Sequence, residues 1–167
     1  LVRRGESVLA AVRLPGLAPA YGSTEVVVGD LTELADLRDV LKEVDCIVHL
    51  VGRAHVMHDH ERDPERAYFK VNASVTSHLA NQAAAVGVKR FIYLSSIKVN
   101  GEETKGGSFR ETDPPVPVDA YGRSKLAAEQ ALWKVASARA LSQAMEVVVI
   151  RSPLVYGPGV KGNILRL

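Results

Sequence analysis

The sequence predicts an α/β fold with a Rossmann-type, doubly wound parallel sheet, and three observations support this prediction. Short β-branched runs alternate with longer helical patterns along the chain. The runs are apolar at nearly every position, as expected for strands that are covered on both faces. Polar or small residues follow each run, where the carboxyl ends of parallel strands share one edge of a sheet. Such alternation is typical of parallel sheets with right-handed crossovers.

Five strands and three helices are predicted in chain order. The strands are the apolar runs 7–12, 25–30, 46–52, 90–96 and 146–152. The first helix, 32–44, has Thr32 as its N-cap, the second, 64–87, ends at a glycine, and the third covers about 121–142.

Composition limits the possible partners of the chain. The 167 residues are 47% hydrophobic and 24% charged, with a net charge of +2, which is ordinary for one soluble domain. Positive charges are scattered, so neither nucleic acid nor a membrane surface is indicated as a partner. The single cysteine, Cys46, lies in the apolar run CIVHLVG and is expected to be a buried, inert thiol in a reducing cytoplasm.

Tyr121 and Lys125 stand four residues apart at the start of the third helix, so both share one helical face. Alone, this pair is more simply an exposed helix end. The context changes that interpretation, because Ser96 ends a strand and the long loop 100–119 returns the helix beside that strand. A phenol with a pKa near 10 is a poor base at neutral pH unless a nearby cation stabilises the phenolate.

These residue types suit hydride chemistry. We hypothesise that Lys125 supplies the positive charge and that Ser96 hydrogen-bonds a substrate oxygen. Tyr121 would then remove the proton of that oxygen as hydride leaves the carbon for a nicotinamide cofactor.

Five ordered motifs, GDL, HLVGRAHV, YLSSIKVNG, AYGRSK and VIRSPLVYGPG, resemble the extended short-chain dehydrogenase/reductases. Within that family they resemble the nucleotide-sugar epimerase/dehydratase group, which includes UDP-glucose 4-epimerase. The resemblance implies NAD or NADP as cofactor and a nucleotide sugar as substrate. It identifies Ser96, Tyr121 and Lys125 as the catalytic trio, and it implies a homodimer built from helices 64–87 and 121–142.

The resemblance also implies cofactor contacts. Asp30 and Leu31 match the adenine contacts, and Asn72 matches the helix asparagine on the nicotinamide side. The other candidate cofactor residues are Leu50, Val51, Gly52, Ser95, Pro153 and Leu154, together with Tyr121 and Lys125. The candidate substrate contacts are Ser96, Lys98 and Asn163.

The choice between NAD and NADP is left open by Arg13. NAD-dependent enzymes usually have an acid at the end of the second strand, where this chain has the arginine. Arg13 either receives the 2′-phosphate of NADP or is an exposed loop residue.

The 167 residues contain no glycine-rich phosphate loop, and LVRRGESV resembles the end of the first helix of the family. We therefore expect 1–167 to be a partial NAD(P)-binding Rossmann domain, without the family's first strand and without its C-terminal substrate domain. In the strand order 3-2-1-4-5-6 this leaves a slot between 7–12 and 46–52. Such a fragment of a longer enzyme is expected to be inactive by itself.

The residues after Ser96 bear on the reaction. The 4,6-dehydratases of the family have Asp-Glu there, whereas this chain has Ile97 and Lys98, which disfavours dehydration. The main interpretation is a 4-epimerase-like oxidoreductase with reversible hydride transfer at sugar C4. The alternative is an NADP-dependent reductase of a UDP-4-keto-6-deoxy amino sugar for surface polysaccharide. A non-catalytic NAD(P)-binding regulatory protein is the alternative of another class.

Histidines offer a further candidate site. His55, His58 and His60 have spacings that zinc or nickel ligands can have, yet a solvated loop is the simpler interpretation, so no metal site is predicted. His49, inside the third strand, is expected to be a packed, hydrogen-bonded histidine.

Overall fold

The computed structural model describes residues 1–17, 22–54, 61–104, 106–138 and 145–155. The strands are β1 Leu9–Val12, β2 Thr24–Val27, β3 Cys46–His49, β4 Arg90–Ser96 and β5 Glu146–Ser152. All their pairings are parallel: β1 pairs with β2, and β4 lies between β3 and β5. The predicted parallel α/β architecture is confirmed, and the bounds of β4 and β5 agree with the prediction.

The sheet is interrupted between β1 and β3. No hydrogen-bonded ladder joins these two described strands, so the five strands divide into a sheet of two and a sheet of three. The interruption lies where the order 3-2-1-4-5-6 places the first strand of a doubly wound sheet. The predicted slot is therefore confirmed in the topology of the described strands.

Four α-helices and one π-helical segment are described, besides three short 3-10 turns. The helices are α1 Arg38–Leu41, α2 Pro64–Tyr68, α3 Val75–Ala85 and α4 Ala120–Ala136, and a π-helical segment, Phe69–Ser74, joins α2 to α3. The second predicted helix thus forms with a π turn inside it, and the third ends earlier than predicted. Within the described ranges, no helix combines the length and apolar character needed to cross a membrane.

The predicted helix 32–44 is wrong in its first half. Asp30, and not Thr32, is the N-cap, and it caps a short 3-10 turn, Leu31–Glu33. Its carboxylate accepts a hydrogen bond from Thr32 N at 2.9 Å. Leu34 then has a left-handed φ of 55°, which ends the turn. After this turn, Leu37 N donates a hydrogen bond to the side-chain oxygen of Gln82 on α3 at 2.6 Å. This tertiary contact favours the irregular backbone over the helix.

The core lies between one face of the three-stranded sheet and helices α3 and α4. Phe91 and Tyr93 of β4 and Leu132 and Ala128 of α4 are all 0% exposed and belong to one apolar cluster. Alternate strand residues point to the opposite face, where Ile150 is 46% exposed. Packing on a single face therefore holds α4 beside the carboxyl end of β4.

Cys46 is exposed, so the expectation of a buried thiol is wrong. It is the first residue of β3 and alternates with Ile47, whose side chain packs against the core. Partial burial nevertheless raises the pKa of the thiol, which disfavours the reactive thiolate.

Leu132→Ala is expected to lower the free energy of unfolding by about 3 kcal/mol, because it leaves a cavity in the core. Lys134→Ala, on the exposed side of the same helix, is the control and is expected to change it by less than about 0.5 kcal/mol. Equilibrium unfolding in urea measures both variants. Equal stability of the two would contradict the described packing of α4.

Candidate active site

The first turn of α4 brings the predicted catalytic pair to the edge of the sheet. Asp119 caps the helix, and its Oδ1 accepts a hydrogen bond from Gly122 N at 2.6 Å. Tyr121 lies in this first turn and Lys125 one turn later, on the buried side of the helix. The helical spacing inferred from the sequence is thus present in the structure.

Ser96 ends β4 beside this turn. Its Oγ accepts a hydrogen bond from Lys98 N at 3.3 Å and caps a 3-10 turn, Ile97–Val99. Burial raises the pKa of the Tyr121 phenol, and a hydrogen bond with the Ser96 side chain partly opposes that increase. The two hydroxyls therefore lie together, as the hypothesis of a shared substrate oxygen requires.

The ammonium group of Lys125 is enclosed between the helix and the sheet. Its Nζ donates to Leu94 O at 2.9 Å and lies 4.7 Å from the centre of the Tyr93 ring. The centre of the Tyr121 ring is 6.0 Å away. Burial lowers the pKa of Lys125 to about 8, and the charge of Glu129 opposes the decrease. The lysine is therefore mostly protonated at neutral pH and puts a positive charge near the phenol.

Asn72 lies in the π-helical segment and is 0% exposed. Its Oδ1 accepts a hydrogen bond from Arg53 N at 2.7 Å, and its Nδ2 donates to Arg53 O at 3.0 Å. The same Nδ2 donates to Ser124 Oγ on α4 at 2.9 Å. One amide thus joins the segment after β3 to α4, at a π turn of the kind often found at functional sites.

Gly52 leaves space for the lysine. A Cβ at this position would lie 3.0 Å from Lys125 Nζ and 3.3 Å from Asn72 Oδ1. The two preceding residues, Leu50 and Val51, are 65% and 43% exposed. An open apolar surface beside one enclosed cation suits a flat, partly polar ring.

Arg13 and Asp30 meet at the ends of β1 and β2. The Arg13 guanidinium lies 3.1 Å from Asp30 Oδ2, and the arginine side chain is 70% exposed. Hydrogen bonds from Thr32 lower the pKa of Asp30, and the charge of Arg13 acts in the same direction. Two of the predicted cofactor contacts are thus brought together, with Leu31 next to them in the chain.

Two predicted side chains are engaged elsewhere. Ser95 is 2% exposed and its Oγ donates to Glu129 at 2.5 Å, so a side-chain contact with a cofactor gains no support. Lys98 forms an ion pair with Glu102, and its Nζ lies 3.5 Å from Asp119 Oδ2. Lys98 therefore ties the turn after Ser96 to the cap of α4.

The remaining predicted residues lie at the edge of the described structure or outside it. Pro153 and Leu154 follow β5 and are exposed. Asn163 and the three histidines of 55–60 lie outside the described residues. Within the described ranges, no group of three His, Cys, Asp or Glu side chains is placed to hold a metal ion.

His49 is packed and hydrogen-bonded, as the sequence predicts. It is 3% exposed, its Nε2 lies 3.0 Å from Thr76 Oγ1, and its ring stacks against Tyr93. Burial lowers its pKa to about 4, and the charge of Lys125 acts in the same direction. The imidazole is therefore neutral at pH 7.

A family model covers almost the whole chain. The NAD dependent epimerase/dehydratase family matches residues 1–166. The chain belongs to this family.

Two proteins similar to this epimerase/dehydratase chain have named activities. The UDP-glucose 4-epimerase of Vibrio cholerae is 48% identical over 141 residues, which are 84% of this chain and 42% of that protein. The dTDP-6-deoxy-L-talose 4-dehydrogenase (NAD(P)(+)) of Kitasatospora kifunensis is 30% identical over 169 residues, or 99% of this chain and 50% of that protein. The chain thus spans half the length of these relatives or less.

A solved structure agrees with the family assignment. MoeE5 in complex with UDP-glucuronic acid and NAD superposes with a TM-score of 0.80 at 32% identity. The likeness covers 96% of this chain and 50% of that chain. The predicted Rossmann-type fold is confirmed.

Sequence reasoning missed Tyr68 of this epimerase/dehydratase chain. Its ring lies edge-on to that of Tyr121, with 6.1 Å between the ring centres. The Arg53 guanidinium lies 5.5 Å from the centre of the Tyr68 ring, and the Tyr68 hydroxyl donates to Ala54 O at 3.4 Å. These side chains line one side of the candidate site. The sequence contained a signal for Tyr68 as a site residue. It stands four residues before Asn72 in one predicted helix, so the two were expected to share a helical face.

Gly122→Ala is expected to destabilise the protein, although alanine favours a helix. A Cβ at Gly122 would lie 2.7 Å from Lys98 O and 3.1 Å from Pro117 Cβ, so α4 would have to move away from the turn after Ser96. Overpacking of this kind costs about 1–3 kcal/mol. Gly107→Ala is the control, since its added Cβ would meet nothing within 4 Å. If Gly122→Ala unfolds at the same urea midpoint as Gly107→Ala, the close approach of α4 to Lys98 O is not needed for stability.

Proposed function

We propose that the full-length protein containing this chain is a nucleotide-sugar 4-epimerase-like oxidoreductase, acting as a homodimer. The observation that carries the proposal is the meeting of Ser96, Tyr121 and Lys125 at the carboxyl edge of the sheet. The 48% identity to a UDP-glucose 4-epimerase supports the type of reaction. The substrate class is a nucleotide sugar with a hydroxyl group at C4.

The chain's own residues would move one proton in this reaction. As a hydride leaves sugar C4, the C4 hydroxyl gives its proton to Tyr121 Oη, and a 4-keto sugar results. The Ser96 hydroxyl hydrogen-bonds the sugar oxygen and holds it against the phenol. The positive charge of Lys125 stabilises the phenolate that receives the proton. The 4-keto sugar then rotates within the site, so that its opposite face receives the hydride. Return of the hydride and the proton gives the C4 epimer.

The residues present fit a nicotinamide dinucleotide. Gly52, Leu50 and Val51 form an open apolar cradle beside the Lys125 ammonium, and Asp30 follows β2 at the proposed adenosine end. The further residues proposed to hold the cofactor are Leu31, Asn72, Pro153 and Leu154. NAD, when bound, would accept and return the hydride, and its positive ring would favour the phenolate.

The glycine-rich loop that holds the cofactor diphosphate in this family does not occur in the 167 residues. We therefore expect 1–167 alone to bind NAD weakly and to show no turnover. The activity is proposed for the full-length protein, and its tests use that protein.

Arg13 favours a second candidate, the NADP-dependent reductase of a UDP-4-keto-6-deoxy amino sugar. Its guanidinium is exposed at the end of β1, where a 2′-phosphate would be bound. A phosphate would compete there with the Asp30 carboxylate, which lies 3.1 Å from the arginine. This competition favours NAD, and with it the epimerase.

Tyr121→Phe and Lys125→Met are expected to lower turnover of UDP-sugars by about 100-fold or more, because each removes a group that handles the proton. Absorbance near 340 nm and product analysis with the full-length protein measure the loss. Lys134→Met, on the exposed side of the same helix, is the control and should keep wild-type activity. No turnover of any nucleotide sugar by the wild type would favour the non-catalytic regulatory protein.

Cofactor stoichiometry is expected to separate the two enzymatic candidates. An epimerase regenerates its NAD, so many sugars should be converted per bound cofactor without added NADPH. A reductase consumes one NADPH for each sugar that it reduces. Product formation that requires one equivalent of NADPH per turnover would overturn the epimerase proposal and leave the reductase.

A further inference from the structure

A buried carboxylate lies directly beneath the candidate catalytic groups. Glu129 is on α4, one helical turn after Lys125 and two turns after Tyr121, so the three side chains share one face of the helix. Glu129 is 2% exposed and Lys125 is 4% exposed. The carboxylate is thus part of the interior next to the ammonium.

Two side chains from the sheet satisfy this carboxylate. Ser95 Oγ donates to Glu129 Oε1 at 2.5 Å. Arg151 Nη2 donates to Oε2 at 2.7 Å, and Arg151 Nε lies 3.1 Å and 3.2 Å from the two oxygens. Arg151 Nη1 also donates to Asn100 Oδ1 at 3.1 Å. Glu129 therefore links helix α4 to two strands through charge-assisted hydrogen bonds.

Each partner is next to an element of the candidate site. Ser95 precedes Ser96 and pairs with Arg151 across the β4–β5 ladder. Asn100 follows the 3-10 turn that Ser96 caps. The four side chains form a layer below Ser96, Tyr121 and Lys125, and the layer connects the strands and helix that carry them.

The Glu129–Arg151 ion pair is largely buried, with side chains 2% and 22% exposed, and it needs a reason besides stability. Taking two charges out of water is costly, and well-packed apolar residues often replace such pairs without loss. Here the pair lies one turn from an enclosed lysine that the proposed reaction needs in its charged form.

We propose that Glu129 is a positioning residue of the proposed reaction, holding α4 against β4 and β5 and keeping the Lys125 ammonium charged beside Tyr121. This inference rests on the proposed function and adds to it a residue that does not touch the substrate.

Among the described titratable groups that face Lys125, Glu129 is the one that carries a negative charge. His49 faces it from β3, Tyr93 from β4 and Tyr121 from its own helix. Burial lowers the pKa of His49 to about 4 and raises the pKa values of both tyrosines, so all three are neutral at pH 7. Among these described neighbours, Glu129 alone carries a negative charge, which adds to the hydrogen bond with Leu94 O and the contact with the Tyr93 ring in replacing water around the ammonium.

The test follows the charge of Lys125 directly in the full-length protein. The protein is labelled with ¹³C-lysine, and the Cε resonance of Lys125 is assigned as the one that Lys125→Met removes. The pH titration of this resonance is then compared between wild type and Glu129→Gln. We expect the midpoint to fall by about one pH unit in Glu129→Gln, because a unit charge one helical turn away is lost. The high-pH limb of turnover should move to lower pH with it.

A double variant separates positioning from stability alone. In Glu129→Gln with Arg151→Met, no unpaired guanidinium is left in the interior, so the thermal midpoint should recover. The Lys125 titration should stay at the lower pH, because Glu129 is the charge that raises the pKa of Lys125 and the double variant does not restore it. If Glu129→Gln fails to fold, the double variant decides.

An unchanged Lys125 titration in Glu129→Gln, or a wild-type titration in the double variant, would overturn the positioning role. A wild-type protein without turnover would overturn the proposed function instead. The lysine titration would then still decide whether Glu129 sets the charge of Lys125.

Discussion

The enclosure of the Lys125 ammonium is the constraint on which the rest of the site depends. A cation that is 4% exposed needs dipoles, an aromatic face or a counter-charge to replace water. Leu94 O, the Tyr93 ring and Glu129 supply them. Gly52 follows from the same constraint, since a side chain there would meet the ammonium. One charged group therefore sets how β3, β4 and α4 approach each other.

The same enclosure connects packing with chemistry. Burial lowers the pKa of Lys125 to about 8 and raises that of the Tyr121 phenol. At neutral pH the lysine is thus mostly charged while the phenol keeps its proton, and further positive charge nearby would favour the phenolate. Asn72 joins the segment after β3 to α4, and Glu129 joins α4 to β4 and β5. The strands and the helix that carry the candidate site are thus connected by buried hydrogen bonds below Tyr121 and Lys125.

The sequence predicted features that depend on local pattern. The apolar runs of β4 and β5 and the helical spacing at Tyr121 are of this kind. The helix predicted over 32–44 failed because Gln82, 45 residues further along the chain from its bonding partner, holds the backbone in another form. The π-helical segment at Asn72 and the exposure of Cys46 also depend on neighbours in space, which the order of residues does not show. The proposed catalytic residues could therefore be predicted from the sequence, and the side chains that support them from below could not.

In the proposed reaction, hydride leaves one sugar carbon and returns to the same carbon within one site. Nucleotide sugars deuterated at C4, incubated with the full-length protein and unlabelled NAD, test the proposed reaction by mass spectrometry and NMR of the sugar product. We expect the C4 epimer of the converted nucleotide sugar to keep its deuterium at C4. Exchange of the label with solvent, or no conversion of any nucleotide sugar by the NAD-loaded protein, would contradict the proposed reaction.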